Sequence, residues 1–371
     1  MKIGRYRLGI EQRIVFTSFD AIKIAVFSVV LAFIVLSLIF WLEEISPIEG
    51  YFQMFSYAFG TSTGIELTIR RMTFMLLVTL AFIFPHRAGV LNIGATGQLY
   101  AGMLAAIGIG LLGKNLDSMI LIPLMVMGAI LGGGALAVFV AYLRAKMNVN
   151  EIVVALMLNS IMFYFVKYLI EGPWMDPSGR PESAQLVKAA RIPMIPGTSI
   201  PYTIFLAIAI AVLLYFILAK TATGYEIRLT GANPVSARYA GVSFLKIALI
   251  TMLIGGAIAG IAGVHQTAGI RGVFKIHRYF AVYPGTWAYY GIVFGLISVS
   301  NPLAAIFVTF FFSGMQVGTQ ALQSRLGIGF GADLAFVGIL MILLVAGQYF
   351  YHKKVVWLKM GNRGRTKAKK T

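Results

Sequence analysis

The sequence predicts an all-α integral membrane protein, and three features carry that prediction: long apolar stretches, little charge within them, and an uneven distribution of Lys and Arg between them. Of 371 residues, 59% are hydrophobic and 12% charged, and the mean hydropathy is +0.84. Soluble domains carry about 25% charged residues, so water is not the main solvent of this chain. A hydrocarbon core needs roughly 20 apolar residues per helical span. Ten stretches qualify: 22–42, 66–84, 89–112, 119–143, 151–170, 200–219, 245–265, 281–298, 302–320 and 332–351. The second begins within a polar run, 60–71, and only a few residues around Ser300, Asn301 and Pro302 separate the eighth from the ninth, which reads as a tight hairpin at the membrane surface.

The basic residues test this map. Cytoplasmic loops carry the excess of Lys and Arg, and with an even number of spans and both termini inside, 20 of the 31 basic residues fall on the cytoplasmic side and 10 outside. The chain divides into a basic cytoplasmic segment 1–21, a transmembrane domain 22–351 and a cytoplasmic polybasic tail 352–371. The transmembrane domain contains a cytoplasmic loop 220–244 and a large outer loop 171–199. The first apolar run follows basic residues, but it is too long for a signal peptide and lacks a small-residue cleavage site, so it reads as a retained helix.

These features exclude several functions. On this topology most of the net charge of +18 lies beside anionic lipid headgroups, and no basic, aromatic-interleaved soluble domain for nucleic acid is present. With no cysteine, disulfide and thiolate chemistry are excluded. No metal-ligand spacing, Ser-His-Asp set or carboxylate pair supports catalysis. The run 108–115, GIGLLGKN, fits G-x-x-x-x-G-K but places Asn115 where a P-loop needs Ser or Thr for magnesium, and it ends an apolar helix with no strand before it. Every Asp and Glu falls in a loop or at a span end. Proton- or sodium-driven transporters hold ionisable groups within the bilayer, so the energy for uphill transport is expected from a protein partner.

Polar residues inside spans mark either helix-to-helix ties or a solute path. The third span carries Asn92, Thr96 and Gln98 among glycines, with Asn92 and Thr96 sharing a helical face and Gln98 displaced from it. Asn159 lies in the fifth span, and these four residues are the candidate substrate path. Lys167 snorkels or pairs with Glu171 at i, i+4. In the seventh span Gly255, Gly256, Ala259, Gly260 and Gly263 predict close helix packing, and His265 reads as interfacial.

The loop 220–246 contains a bracketed helix. Asn233 suits an N-cap, Pro234 the first helical position and Gly241 a left-handed stop, giving a helix of about two turns over 234–240. So short a helix needs a surface to pack on, which points to docking, with an idle surface helix as the alternative.

The run 224–242, GYEIRLTGANPVSARYAGV, resembles the coupling segment of permeases in the branched-chain amino acid and simple-sugar group of ATP-binding cassette importers. The run 91–102, LNIGATGQLYAG, resembles their third-helix motif, with Thr96 where many relatives have Glu, and NPLAA at 301–305 also fits. The N-terminal extension and the outer segment 172–186, GPWMDPSGRPESAQL, look most like the larger permease of nucleoside uptake systems. The resemblance implies a type II importer fold of about ten helices in a bacterial cytoplasmic membrane, and no cofactor in this chain. ATP and magnesium would be held by cytoplasmic ATPase subunits. A second related permease and an extracytoplasmic substrate-binding lipoprotein are the other implied partners. Arg238 and Tyr239 would contact the ATPase, with Gly231, Asn233, Pro234 and Gly241 setting the geometry. A nucleoside is the implied solute, with a simple sugar as the alternative; a stand-alone channel and a lipid-modifying membrane enzyme are rival classes.

Overall fold

The computed structural model describes residues 2–3, 6–12, 30–38, 40–270, 274–277, 286–326, 335, 338–339, 342–343, 346 and 353–359. The chain forms two compact units, Met1–Pro47 with Leu334–Thr371, and Ile48–Asp333. Most of the tenth predicted span, the first part of the first, and the tail beyond residue 359 lie outside the described residues.

In the first unit β1 (Lys2–Ile3), β2 (Tyr6–Gln12) and β3 (Lys353–Lys359) make an antiparallel sheet in the order β1-β2-β3. Its register runs from Tyr6 opposite Lys359 to Gln12 opposite Lys353. These short strands stand beside the helices and were not read from the sequence, since two short basic segments so far apart carry no local sign that they pair. The described part of this unit also includes a helical stretch, α1 (Val30–Leu42).

The second unit contains α2 (Pro47–Gly60), α3 (Ser62–His86), α4 (Ala95–Leu112), α5 (Ser118–Met147) and α6 (Glu151–Glu171). It continues with α7 (Thr203–Lys220), α8 (Ala222–Ala232), α9 (Pro234–Tyr239), α10 (Phe244–Ala268), α11 (Thr286–Ile297) and α12 (Pro302–Leu326). Among the described residues seven of these, α3 to α7, α10 and α12, are long and apolar enough to cross a membrane. Local chemistry sets their ends. Thr61, Asp117, Asn150 and Ser243 accept backbone N–H bonds from Gly64, Met119, Ile152 and Lys246, and Asn148 closes α5 in the left-handed region at φ 54°.

Three features go beyond the sequence reading. The second span is one continuous helix of 25 residues, because its polar first turns are capped and packed rather than broken. Helix α2, lying between the first two predicted spans and not assigned there, packs on α12 through Phe55 with Phe311 and Phe59 with Phe310, ring centroids 6.4 and 5.4 Å apart. Helix α4 starts at Ala95 rather than at residue 89, leaving 87–94 as an irregular segment at the membrane end.

Helix α10 lies at the centre, in contact with α3, α4 and α5. Its glycines allow this. A Cβ at Gly260 would collide with the Ala129 carbonyl of α5, and one at Gly256 with the Gly133 carbonyl. A Cβ at Gly263 would come 2.7 Å from the Leu99 carbonyl oxygen of α4. The small-residue pattern read from the sequence therefore is the packing surface of the bundle.

Candidate functional site

The segment after α7 is built from two helices joined at one residue. Thr221 caps α8 by accepting from the Gly224 N–H at 3.0 Å. Asn233 ends α8 and starts α9: its Oδ1 accepts from the N–H groups of Val235 (3.0 Å) and Ser236 (3.1 Å). Pro234 follows at the first helical position, where its missing N–H costs nothing. Gly241, at φ +81°, donates its N–H to the Arg238 carbonyl at 3.0 Å and turns the chain back toward α10. The predicted helix 234–240 is thus present as Pro234–Tyr239, with Ala240 as its cap. Helix α8 itself was not anticipated, because its glycines and threonines give it no apolar stripe.

Only Ala237 of α9 is buried, while Tyr239 is 90% exposed and Arg238 is exposed. Pro234, Val235, Arg238, Tyr239, Val242 and Phe244 line an open cleft of about 820 Å³. An aromatic ring and a guanidinium beside an apolar-floored cleft are the groups that dominate protein docking surfaces.

The four candidate path residues are all buried. Asn92 and Gln98 exchange two bonds, Asn92 Nδ2 to Gln98 Oε1 at 2.9 Å and Gln98 Nε2 to Asn92 Oδ1 at 2.7 Å. Asn92 Nδ2 also donates to the Ala81 carbonyl of α3 at 3.1 Å. Asn159 of α6 accepts from the Gly97 N–H at 2.7 Å and donates to the Ile93 carbonyl at 3.1 Å. Asn92 and Gln98, set apart by the helical reading, therefore face each other, because Asn92 precedes the helix. Thr96 is buried in the first turn of α4. In this conformation the three amides tie α3, α4 and α6 together, and any solute contact would require these bonds to open.

The irregular segment 87–94 joins this cluster to two surface elements. Arg87 Nε donates to the Ser300 carbonyl at 2.9 Å, and His86 Nδ1 lies 2.8 Å from Ser300 Oγ. Ser300 belongs to the predicted hairpin between α11 and α12, where Asn301 Oδ1 caps α12 through the Leu303 N–H at 3.0 Å. On the other side, the backbone of residues 87–89 lies against Gly231 of α8. Burial, and then the nearby Arg228 charge from α8, lower the pKa of Arg87.

His265 is fully buried rather than interfacial: Nδ1 lies 2.6 Å from Thr203 Oγ1 and Nε2 3.1 Å from the Arg70 carbonyl, which ties α10 to α7 and α3. The carbonyl can only accept, so Nε2 carries the proton and Nδ1 accepts from Thr203. Lys167, half-buried, has its Nζ 3.9 Å from the exposed Glu171. The run 108–112 forms the last turn of α4. Among the described residues no group of His, Cys, Asp or Glu could hold a metal.

Residues 64–345 match the family described as branched-chain amino acid transport system / permease component. The chain belongs to this permease family. The glucose ABC transporter permease protein TsgB13 of Haloferax volcanii is 31% identical to the permease, over 86% of this chain and 86% of that protein. The guanosine ABC transporter permease protein NupP of Bacillus subtilis is 28% identical, over 84% and 89%. The nucleoside ABC transporter permease protein NupB of Lactococcus lactis is 25% identical, over 82% and 85%. Bacillus subtilis has a second matching permease, NupQ, 27% identical over 51% of this chain and 62% of that protein. The permease is thus a multi-pass membrane protein and a transport subunit.

Proposed function

We propose that this permease carries a nucleoside inward across a bacterial cytoplasmic membrane by alternating access, driven by a separate ATP-binding cassette ATPase that docks on α9. The observation that carries this reading is the Asn233-capped, Pro-started helix with Arg238 and Tyr239 exposed beside a cleft. A helix this short is not stable alone, and its outward groups are chemically suited to a partner. An ATPase can shift the permease between two states only through contacts that differ between them, and α9 offers the surface for such contacts. ATP and magnesium then belong to the ATPase, and the chain's termini lie on the ATPase side. A second related permease completes the pathway, as the NupP and NupQ pair in one organism supports. A substrate-binding lipoprotein delivers the solute at the outer face.

Two of the relatives are named for guanosine or nucleosides, and the outer segment 172–186 resembles that subgroup. A simple sugar is the second reading, favoured by the 31% identity to a glucose permease. The amides of Asn92, Gln98 and Asn159 serve the path by fixing the helices around it, with Thr96 beside them. Replacing Arg238 and Tyr239 with Ala should abolish ATPase co-purification and substrate-stimulated ATP hydrolysis while the chain remains inserted. Unchanged stimulation would refute docking at α9. Uptake of labelled guanosine and glucose by the intact transporter, each competed by the other, decides between the solutes.

A further inference from the structure

The contact between Gly231 and the segment 87–89 has no side chain on either side. A Cβ at Gly231 would collide with the Arg87 carbonyl oxygen and lie 3.2 Å from the Gly89 nitrogen, and a Cβ at Gly89 would lie 3.4 Å from the Gly231 Cα. Gly89 also sits at φ +76°, where a side chain is strained. Two backbones in direct contact leave no flexible side chain between them to absorb a displacement, so they move together.

Gly231 stands two residues before Asn233, the shared cap of α8 and α9. Any movement of α9 therefore reaches Gly231 through a single helical end. On the far side of the contact, 87–94 is not helical, so it can change φ and ψ without breaking a helix ladder. It contains Asn92, whose amide is fixed to Gln98 and to the Ala81 carbonyl. A second branch leaves through Arg87 to Ser300. That turn holds Val299 at φ 53° and Ser300 at φ 50°, a conformation that β-branched Val adopts only when its surroundings impose it. Arg87 and His86 supply part of that constraint from across the bundle.

We infer that Gly231, Gly89 and Arg87 are positioning residues, and that the Gly231–Gly89 backbone contact is the joint through which movement of α9 reaches both the Asn92–Gln98 amide pair and the α11–α12 turn. The inference rests on α9 being the ATPase docking element. Each glycine acts by transmitting position.

The test uses the full permease purified with its ATPase and partner subunits in lipid nanodiscs. Hydrogen exchange is compared without nucleotide and with ATP plus vanadate. In the unsubstituted protein nucleotide should change exchange at the amides of 88–90 and 299–301 by about tenfold, the scale of ordinary coupling. Gly231→Ala should keep the ATPase bound, lose the nucleotide-dependent change at both places, and move about tenfold less solute per ATP hydrolysed, with guanosine and glucose as the probes. A purely structural role would lower transport and hydrolysis together and leave that ratio unchanged, which would overturn the inference, as would a wild-type exchange response in Gly231→Ala. Should that variant fail to insert, Arg87→Met decides: loss of the change at 299–301 with its retention at 88–90 supports the two-branched joint, and a wild-type response at both sites overturns it. If the unsubstituted permease binds no ATPase, the docking reading fails, which is distinguishable because the exchange comparison then has no complex to report on.

Discussion

Asn92 and Gln98 each supply the other's hydrogen-bond partner inside a protein wall, so neither amide can be removed without exposing the other. An unpaired buried amide costs about 1–3 kcal/mol, whereas apolar groups at both positions leave nothing unsatisfied between them. Asn92→Leu and Gln98→Leu should each lower the thermal unfolding midpoint in nanodiscs, and the double variant should lose less than their sum, with a coupling above the roughly 0.6 kcal/mol average for hydrogen bonds between membrane helices. Strict additivity would show that the reciprocal pair is not a unit. The identity of these residues as the polar groups of the third span was legible in the sequence. Their pairing was not, because a helical wheel assumes a helix, and Asn92 lies outside one. His265 shows the same limit: a histidine near a span end reads as interfacial, and only the approach of Thr203 and the Arg70 carbonyl makes it a buried tie.

At the scale of elements, the loop 171–199 depends on an ion pair reaching across the sequence. Glu182 is buried, and its carboxylate takes Lys275 Nζ at 2.6 Å, with His277 Nε2 at 3.7 Å. Around it the Ser183 N–H donates to the Ile276 carbonyl at 3.0 Å and the Leu186 N–H to the Phe274 carbonyl at 2.8 Å, and the Arg191 guanidinium stands 4.6 Å over the Phe274 ring. Removing one partner of a buried pair leaves an uncompensated charge, worth about 3–5 kcal/mol, while replacing both by apolar groups is far milder. Lys275→Met should therefore accelerate limited proteolysis within 172–199, and Glu182→Leu with Lys275→Met should restore much of the protection. Equal cleavage in both variants would count against the pair as the clasp. Helices with strong signals, capped α5, α6 and α10 above all, were legible as elements, and so was α9 from Asn233, Pro234 and Gly241. Helices α2 and α8 were not, since neither carries a long apolar run and each is held by its neighbours: α2 by Phe310 and Phe311, α8 by its cap and its seat at Gly231.

For the whole molecule, the proposed function takes its energy from a separate ATPase, in keeping with Asp and Glu that fall at span ends or in loops. Reconstituted alone in vesicles, the permease should equilibrate guanosine or glucose at most, and accumulation against a gradient by the purified chain would sink the dependence on an ATPase. Composition and the spacing of charge determined by themselves that the chain lies in a membrane, roughly where its spans run and which short loop holds a capped helix, because hydrocarbon thickness and helix capping act on residues close together in sequence. Only the tertiary structure decided that the two basic ends pair as strands, that the third span opens with a non-helical turn, and that Gly89 meets Gly231. Those outcomes depend on which backbones come within contact across long separations, and no local pattern of residues encodes such a meeting.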